Sequence, residues 1–273
     1  MTTSKKSLLF LFLGLYVVSM IWLSTAWYGS FTAFHFFDDL LEWQYLDKLG
    51  HFFASFHLGL YFYQVLGNSH HLNPIQRKKW ISFSGFLLLL PIEILDGFSQ
   101  NYGASPADLL ANGLGSLYCY SHISYRAVAS TLPKFSFHTT AFHWLRPDLL
   151  GNTFAQQALK DYNGQTYWVS VSVNKIFSTT FFPDWLALSI GYGAEGMLGG
   201  HDNVWQDVTG KTFDYTSVAR TKRFILSADV VAAELMKKNK VFSYLFRPFV
   251  LLKFPAPAIE WNDRGFFFHP IYF

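Results

Sequence analysis

Four stretches in the N-terminal half are apolar over about the length of a membrane-spanning helix. Residues 8–27 carry no charge, and residues 49–66, 80–95 and 106–125 contain few polar side chains. About 20 consecutive apolar residues suffice to cross a bilayer. The pattern predicts about four membrane helices. The first run is interpreted as a retained helix rather than a signal peptide, because it is long and rich in Trp and Tyr.

The hydrophobic pattern changes after about residue 125. Residues 165–176, 186–194 and 223–231 alternate between apolar and polar side chains, and residues 266–273 form a candidate last strand. This period of two is typical of β-strands. A final Phe after alternating aromatics also occurs in outer-membrane barrels, but four or five candidate strands are fewer than the eight of the smallest barrel. That alternative stays open beside the favoured inner-membrane location.

The predicted fold class is therefore a membrane α-helical bundle of about four helices followed by an α+β or β-rich C-terminal region. The bundle is assigned to residues 1–125. A mixed α/β, aromatic-rich region is assigned to residues 126–273.

Composition supports a membrane protein. Hydrophobic residues make up 51% of the chain and charged residues only 14%, whereas soluble domains carry about 25% charged residues. A net charge of +3 is too small to indicate a nucleic-acid partner. Cys119 is the only cysteine, which excludes an internal disulfide and a cysteine-based zinc site.

Ionisable residues recur inside the apolar stretches, where charge is costly and usually faces a bundle interior. Asp47, His51 and Ser55 are spaced four residues apart and would share one helix face. Asp108, Asn112 and Ser116 repeat this spacing on the fourth stretch. The predicted polar cluster comprises Asp47, Lys48, His51, Glu93, Asp96, Asp108 and Asn112.

Two interpretations of this cluster are open. A carboxylate beside His51 would raise the histidine pKa, so the cluster could perform acid–base chemistry or bind a phosphate-bearing lipid head group. Alternatively, Asp47 and Asp108 could serve as helix-start carboxylates, and the other polar groups could simply hold helices together. The HExxH and GxSxG patterns are absent from the sequence. We therefore predict no metal and no cofactor, and assign no catalytic residue.

Three segments resemble the VanZ-like membrane proteins: Asp47-Lys48-Leu49-Gly50-His51-Phe52, residues 92–100 (IEILDGFSQ) and residues 105–115 (SPADLLANGLG). Further segments, including residues 146–151, 160–168, 191–197 and 254–257, are similar to the uncharacterised bacterial envelope family that includes YfiM. VanZ-like proteins are associated with glycopeptide-antibiotic resistance. The second family has no established activity.

The resemblance implies an integral membrane protein of the bacterial cell envelope. A scaffold or assembly component of a membrane complex is the favoured function, and whether the chain is an enzyme is left open. The alternative is binding or modification of a lipid-linked or cell-wall precursor at the polar cluster. The expected partners are the lipid bilayer and other envelope proteins, with no nucleic acid.

Overall fold

The chain forms two compact units. The computed structural model describes residues 3–28, 30–66, 73–236 and 249–273. The helical unit comprises Met1–Leu40 and Lys48–Val128, and the sheet unit comprises Leu41–Asp47 and Ala129–Phe273. The short stretch Leu41–Asp47 thus belongs with the sheet, although it lies in the N-terminal part of the sequence.

Four long helices account for most of the helical unit. They are α1 (Thr3–Trp27), α2 (Leu46–Leu66), α3 (Pro74–Gly97) and α4 (Pro106–Ser124). Both α3 and α4 begin with proline after a capping side chain. Asn73 accepts the backbone N–H of Gln76, and Ser105 accepts that of Asp108. Such caps satisfy N–H groups that the first turn leaves unpaired.

The predicted fold class, a bundle of about four membrane helices, is wrong. Among the described residues only α3 is long and apolar enough to cross a membrane, and α1 contributes only the shorter apolar stretch Phe10–Trp22. The helices α2 and α4 do not qualify because polar, glycine and tyrosine residues interrupt their apolar positions. The C-terminal half consists mainly of a large antiparallel sheet.

The sheet has six strands in the order β1-β2-β3-β6-β7-β8, all antiparallel. They are β1 (Thr131–Phe137), β2 (Gln165–Ser172), β3 (Leu186–Glu195), β6 (Thr221–Val230), β7 (Ala256–Asn262) and β8 (Gly265–Tyr272). A separate hairpin joins β4 (Val204–Gln206) and β5 (Thr212–Asp214). Short helices are α5 (Pro147–Leu150), α6 (Phe154–Lys160), α7 (Val173–Ile176) and α8 (Ala232–Met236).

Alternation located β2, β3, β6 and β8, but the sequence pattern missed β1 and β7. Pro133 lies within β1 and Pro257 within β7, and proline normally argues against a strand because it cannot donate a ladder hydrogen bond. Both strands nevertheless pair, because β1 is an edge strand and Pro257 lies at a register shift between β7 and β8, two places where a strand tolerates proline.

The sheet curls, so that inner side chains from distant strands meet. The rings of Trp168 in β2 and Tyr272 in β8 lie 5.6 Å apart, and the Tyr272 hydroxyl is 3.1 Å from that of Thr166. The inner face, defined as the side of the sheet on which the Trp168 side chain lies, is largely polar. Its buried polar residues are Lys134, Ser136, Thr166, Ser170, Ser189, Thr221, Arg223, Ser227, Asp229, Glu260 and Asn262.

Candidate functional site

Lys48 lies between two carboxylates of the helical unit. Its Nζ is 2.7 Å from Oδ2 of Asp39 and 2.7 Å from Oδ1 of Asp108. All three side chains are at least 88% buried. Charged hydrogen bonds at this distance are among the strong ones, so the ammonium group joins the segment before α2 to the start of α4.

Ser105 strengthens the same connection. Its hydroxyl donates to Oδ1 of Asp39 at 2.5 Å and accepts the N–H of Asp108 at 3.0 Å. The local sequence explains this, since a serine before a proline is a favoured helix start. One cap residue therefore holds the carboxylate of Asp39 and the backbone of Asp108 beside Lys48.

His51, one turn further along α2, contacts the other two helices. Its Nδ1 lies 3.2 Å from Oε1 of Glu93 and 3.2 Å from Oδ1 of Asn112. Its Nε2 lies 3.8 Å from Oδ2 of Asp108. Asn112 also donates its Nδ2–H to Glu93 Oε1 at 3.2 Å. The imidazole thus connects carboxylates of α3 and α4.

The network continues deeper between the helices through two serines. Ser55 donates its hydroxyl to the backbone oxygen of Asn112 at 2.6 Å and lies 2.9 Å from the hydroxyl of Ser116. Ser116 in turn accepts the backbone N–H of Phe86 at 3.0 Å. The polar faces predicted for α2 and α4 therefore contact each other.

Glycines allow this close approach of the backbones. A Cβ on Gly115 of α4 would overlap the carbonyl oxygen of Phe52 in α2, and a Cβ on Gly85 of α3 would overlap that of Ser55. Small residues at such positions are what close helix packing requires.

Among the contacts of the described residues, the network carries more negative than positive groups. Lys48 and His51 stand against the carboxylates of Asp39, Glu93 and Asp108. Buried carboxylates require compensating partners. The Lys48 ammonium lies between Asp39 and Asp108 and supplies a positive charge to both carboxylates.

Two predicted cluster residues also accept hydrogen bonds from tyrosines that the prediction did not include. Asp96 accepts a 2.7 Å hydrogen bond from the Tyr28 hydroxyl, and burial together with the Asp96 charge raises the pKa of Tyr28 above its usual range. Asp47 belongs to the sheet unit. There it accepts a 2.6 Å hydrogen bond from Tyr162, whose ring lies 5.0 Å from that of Trp43.

Sequence reasoning missed Asp39 as a member of the network. Asp38 and Asp39 are adjacent acidic residues in an aromatic segment, and only the long-range contact with Lys48 distinguishes them. It also missed a second buried cluster in the sheet unit. Lys134 Nζ lies 2.9 Å from Asp229, which accepts the Ser189 hydroxyl at 2.6 Å. A charge at an inward position of the alternating strand β6 was the available signal.

Comparison of the chain with known proteins gives no relative from which a function could be transferred. No protein-family model, curated protein or solved structure matches the chain. The resemblance to the VanZ-like proteins and to the YfiM-containing family therefore stays a prediction.

Proposed function

We propose that the protein is a membrane-anchored structural component of the bacterial cell envelope. The observation that supports this best is the exposure of α3. Only 33% of its most apolar stretch is buried within the protein. Trp80, Phe83, Leu87 and Ile94 are 40–63% exposed. A core helix of a water-soluble protein would bury most of this surface, whereas lipid hydrocarbon accommodates it.

The opposite face of α3 supports an anchoring role. Ser82, Gly85, Leu89, Glu93 and Gly97 are buried and recur at the helical spacing that places them on one side. The charged Glu93 is thus directed into the protein and the large apolar side chains away from it. This is the distribution expected for a helix whose surroundings are less polar than its partner helices.

Within this proposal, the polar network has a structural role. Lys48, His51, Asn112, Ser55 and Ser116 connect α2, α3 and α4 through the contacts described above. Polar contacts between helices are a known source of membrane-helix association. A scaffold needs these contacts to hold its helices in one arrangement, and it needs no reacting group among them.

The alternative of binding a phosphate-bearing precursor has less support. An anionic head group would approach three carboxylates, and the Lys48 ammonium is already shared by Asp39 and Asp108. Like charges at close range oppose binding. The charge balance of the network therefore favours a structural role over phosphate recognition.

Alkaline extraction of cell membranes tests the proposal. The full chain should stay in the membrane pellet at high pH, and Leu87→Arg should release a substantial fraction because an arginine in an apolar span costs about 2.5–3.5 kcal/mol. Gln76→Arg is the matched control, because Gln76 is exposed in the first turn of α3. Release of the unaltered chain would contradict the proposal.

A further inference from the structure

An unbroken row of aromatic side chains crosses the outer face of the sheet, with one member on each of the six strands. In sheet order they are Phe135, Tyr167, Tyr192, Phe224, Trp261 and Phe266, each directly opposite the next. Alternation along each strand does not by itself produce such a row. The row also requires that the aromatic residues of all six strands lie opposite one another, at the same level across the sheet. We refer to these six residues as the aromatic row.

The rings of the aromatic row contact one another along much of its length. Tyr192 and Phe224 lie 5.4 Å apart, Phe224 and Trp261 5.8 Å, and Trp261 and Phe266 6.3 Å. The two tyrosine hydroxyls have polar partners. Tyr192 donates to the backbone oxygen of Gln44 at 2.8 Å, and Tyr167 donates to the side chain of Gln165 at 2.9 Å.

The level on one side of the aromatic row is entirely apolar. It consists of Pro133, Val169, Ile190, Leu226, Ile259 and Phe268, again each opposite the next. From Val169 to Phe268 these side chains are 46–68% exposed. A third level on this side includes Val171, Leu188 and Ala228.

The level on the other side of the aromatic row is more polar. It contains Gln165 and Lys222 beside Phe137 and Ala194, and of these Gln165 and Ala194 are buried. The Lys222 ammonium is 5.2 Å from the centre of the Tyr45 ring. Along the strands, the outer face therefore passes from apolar side chains, through aromatic rings, to a mixed level that carries the Lys222 cation.

The inner face has the reverse character, because its polar groups are buried and hydrogen-bonded. Lys134 pairs with Asp229, and Asn262 donates to Glu260 at 2.7 Å. Arg223 donates to the backbone oxygen of Asn163 at 3.0 Å. A sheet that packs on a protein core in water has its apolar side chains inside and its polar ones outside. Here the two faces are exchanged.

From this inversion we propose that the outer face of the six-stranded sheet is embedded in lipid hydrocarbon, with the aromatic row at the lipid–water boundary. The inference rests on the proposed membrane anchoring and extends it to the sheet unit. Apolar-out and polar-in alternation with aromatic girdles is the arrangement of strands in lipid.

The order of the levels favours lipid over a protein partner. Tyr and Trp concentrate where hydrocarbon meets water, and lysine places its ammonium on the aqueous side of such a boundary. A protein interface has a polar rim around a central apolar patch. Such an interface does not require one aromatic side chain on every strand.

A probe that reports its surroundings tests the inference on the full chain. In a Cys119→Ala background, single cysteines replace Ile190, Leu226 or Ile259 on the outer face and carry a polarity-sensitive fluorophore. Leu87→Cys reports on α3. Val208→Cys, in the fully exposed β4–β5 turn, is the aqueous control. The proteins are reconstituted in phosphatidylethanolamine–phosphatidylglycerol vesicles with acyl-chain nitroxide lipids or aqueous iodide as quenchers.

The three outer-face probes should be quenched by the nitroxide lipids and show several-fold weaker iodide quenching than the Val208 probe. If Leu87 is quenched from lipid but the outer-face probes behave like Val208, the inference fails and membrane anchoring stands. If the outer-face probes are shielded from both quenchers, protein covers the face and the inference also fails. If Leu87 too responds only to iodide, both proposals fail.

Discussion

The Lys48 ammonium nitrogen lies 2.7 Å from Oδ1 of Asp108, with both side chains buried. Its second carboxylate, Asp39, is equally close. Lys48→Met would leave two buried carboxylates facing each other without their cation. We expect a loss of about 3–5 kcal/mol in the free energy of unfolding, the usual cost of removing one partner from a buried ion pair. Denaturation of the reconstituted full chain measures this.

The matched control for this substitution is Lys79→Met, because Lys79 is exposed on α3. That variant should unfold within about 0.5 kcal/mol of the unaltered chain, as surface substitutions usually do. Equal stabilities of the two methionine variants would show that the Lys48 pairs do not hold the helical unit together.

Asn112 tests whether the network is close to its limit of negative charge. Asn112→Asp replaces the amide that donates to Glu93 with a fourth carboxylate at a fully buried position. A buried, unpaired charge is among the most destabilising changes a core can receive. A large fall in unfolding temperature is expected, whereas Asn101→Asp, at an exposed position, should change it little. Similar temperatures for both would argue against the network.

Two glycines of α4 provide an internal comparison of helix packing. Gly115→Ala would push a methyl group into the carbonyl oxygen of Phe52 and should destabilise by about 1–3 kcal/mol, as overpacking does. Gly113→Ala meets no described atom within 4 Å. It should stabilise by about 0.5–1 kcal/mol through helix propensity alone. Opposite signs in unfolding experiments are the predicted result, and a loss at both positions would contradict it.

The sheet unit allows an analogous test at Asp229. Asp229→Asn keeps the shape of the side chain but removes the negative charge beside Lys134 and Lys253. We expect a loss of about 3–5 kcal/mol, since a buried cation is left without its counter-ion. Asp263→Asn, at an exposed position, is the control. If urea denaturation finds the two variants equally stable, the buried cluster contributes nothing to the sheet.

The sequence predicted local features of the helical unit well. The apolar stretch 106–125 predicted α4 (Pro106–Ser124) closely, because a helix start depends mainly on neighbouring residues. The spacing of Lys48, His51, Asp108 and Asn112 anticipated which helix faces would meet. It could not reveal that Tyr28 donates a hydrogen bond to Asp96, since that contact depends on the path of a distant segment.

The prediction of about four membrane helices was wrong because apolar composition was judged over whole helices. The polar residues of the network also lower the mean hydropathy of α2 and α4. The same residues that indicate a buried polar site therefore argue against these helices as membrane spans. In the sheet, the alternation of β2 was visible in Val169 and Ser170. The sequence did not show which face of the strand lies outside, because the residues of both faces recur with the same period of two. Only the register of all strands shows the aromatic row.

The central claim, that the chain is a membrane protein with its polar groups directed inward, is tested most directly by vesicle flotation. Purified full chain is transferred from detergent into phosphatidylethanolamine–phosphatidylglycerol vesicles and centrifuged through a density gradient at high salt. We predict that it floats with the vesicles, because exposed apolar surface rather than charge holds it there. A chain that stays at the bottom of the gradient as a soluble, monodisperse species would contradict the account.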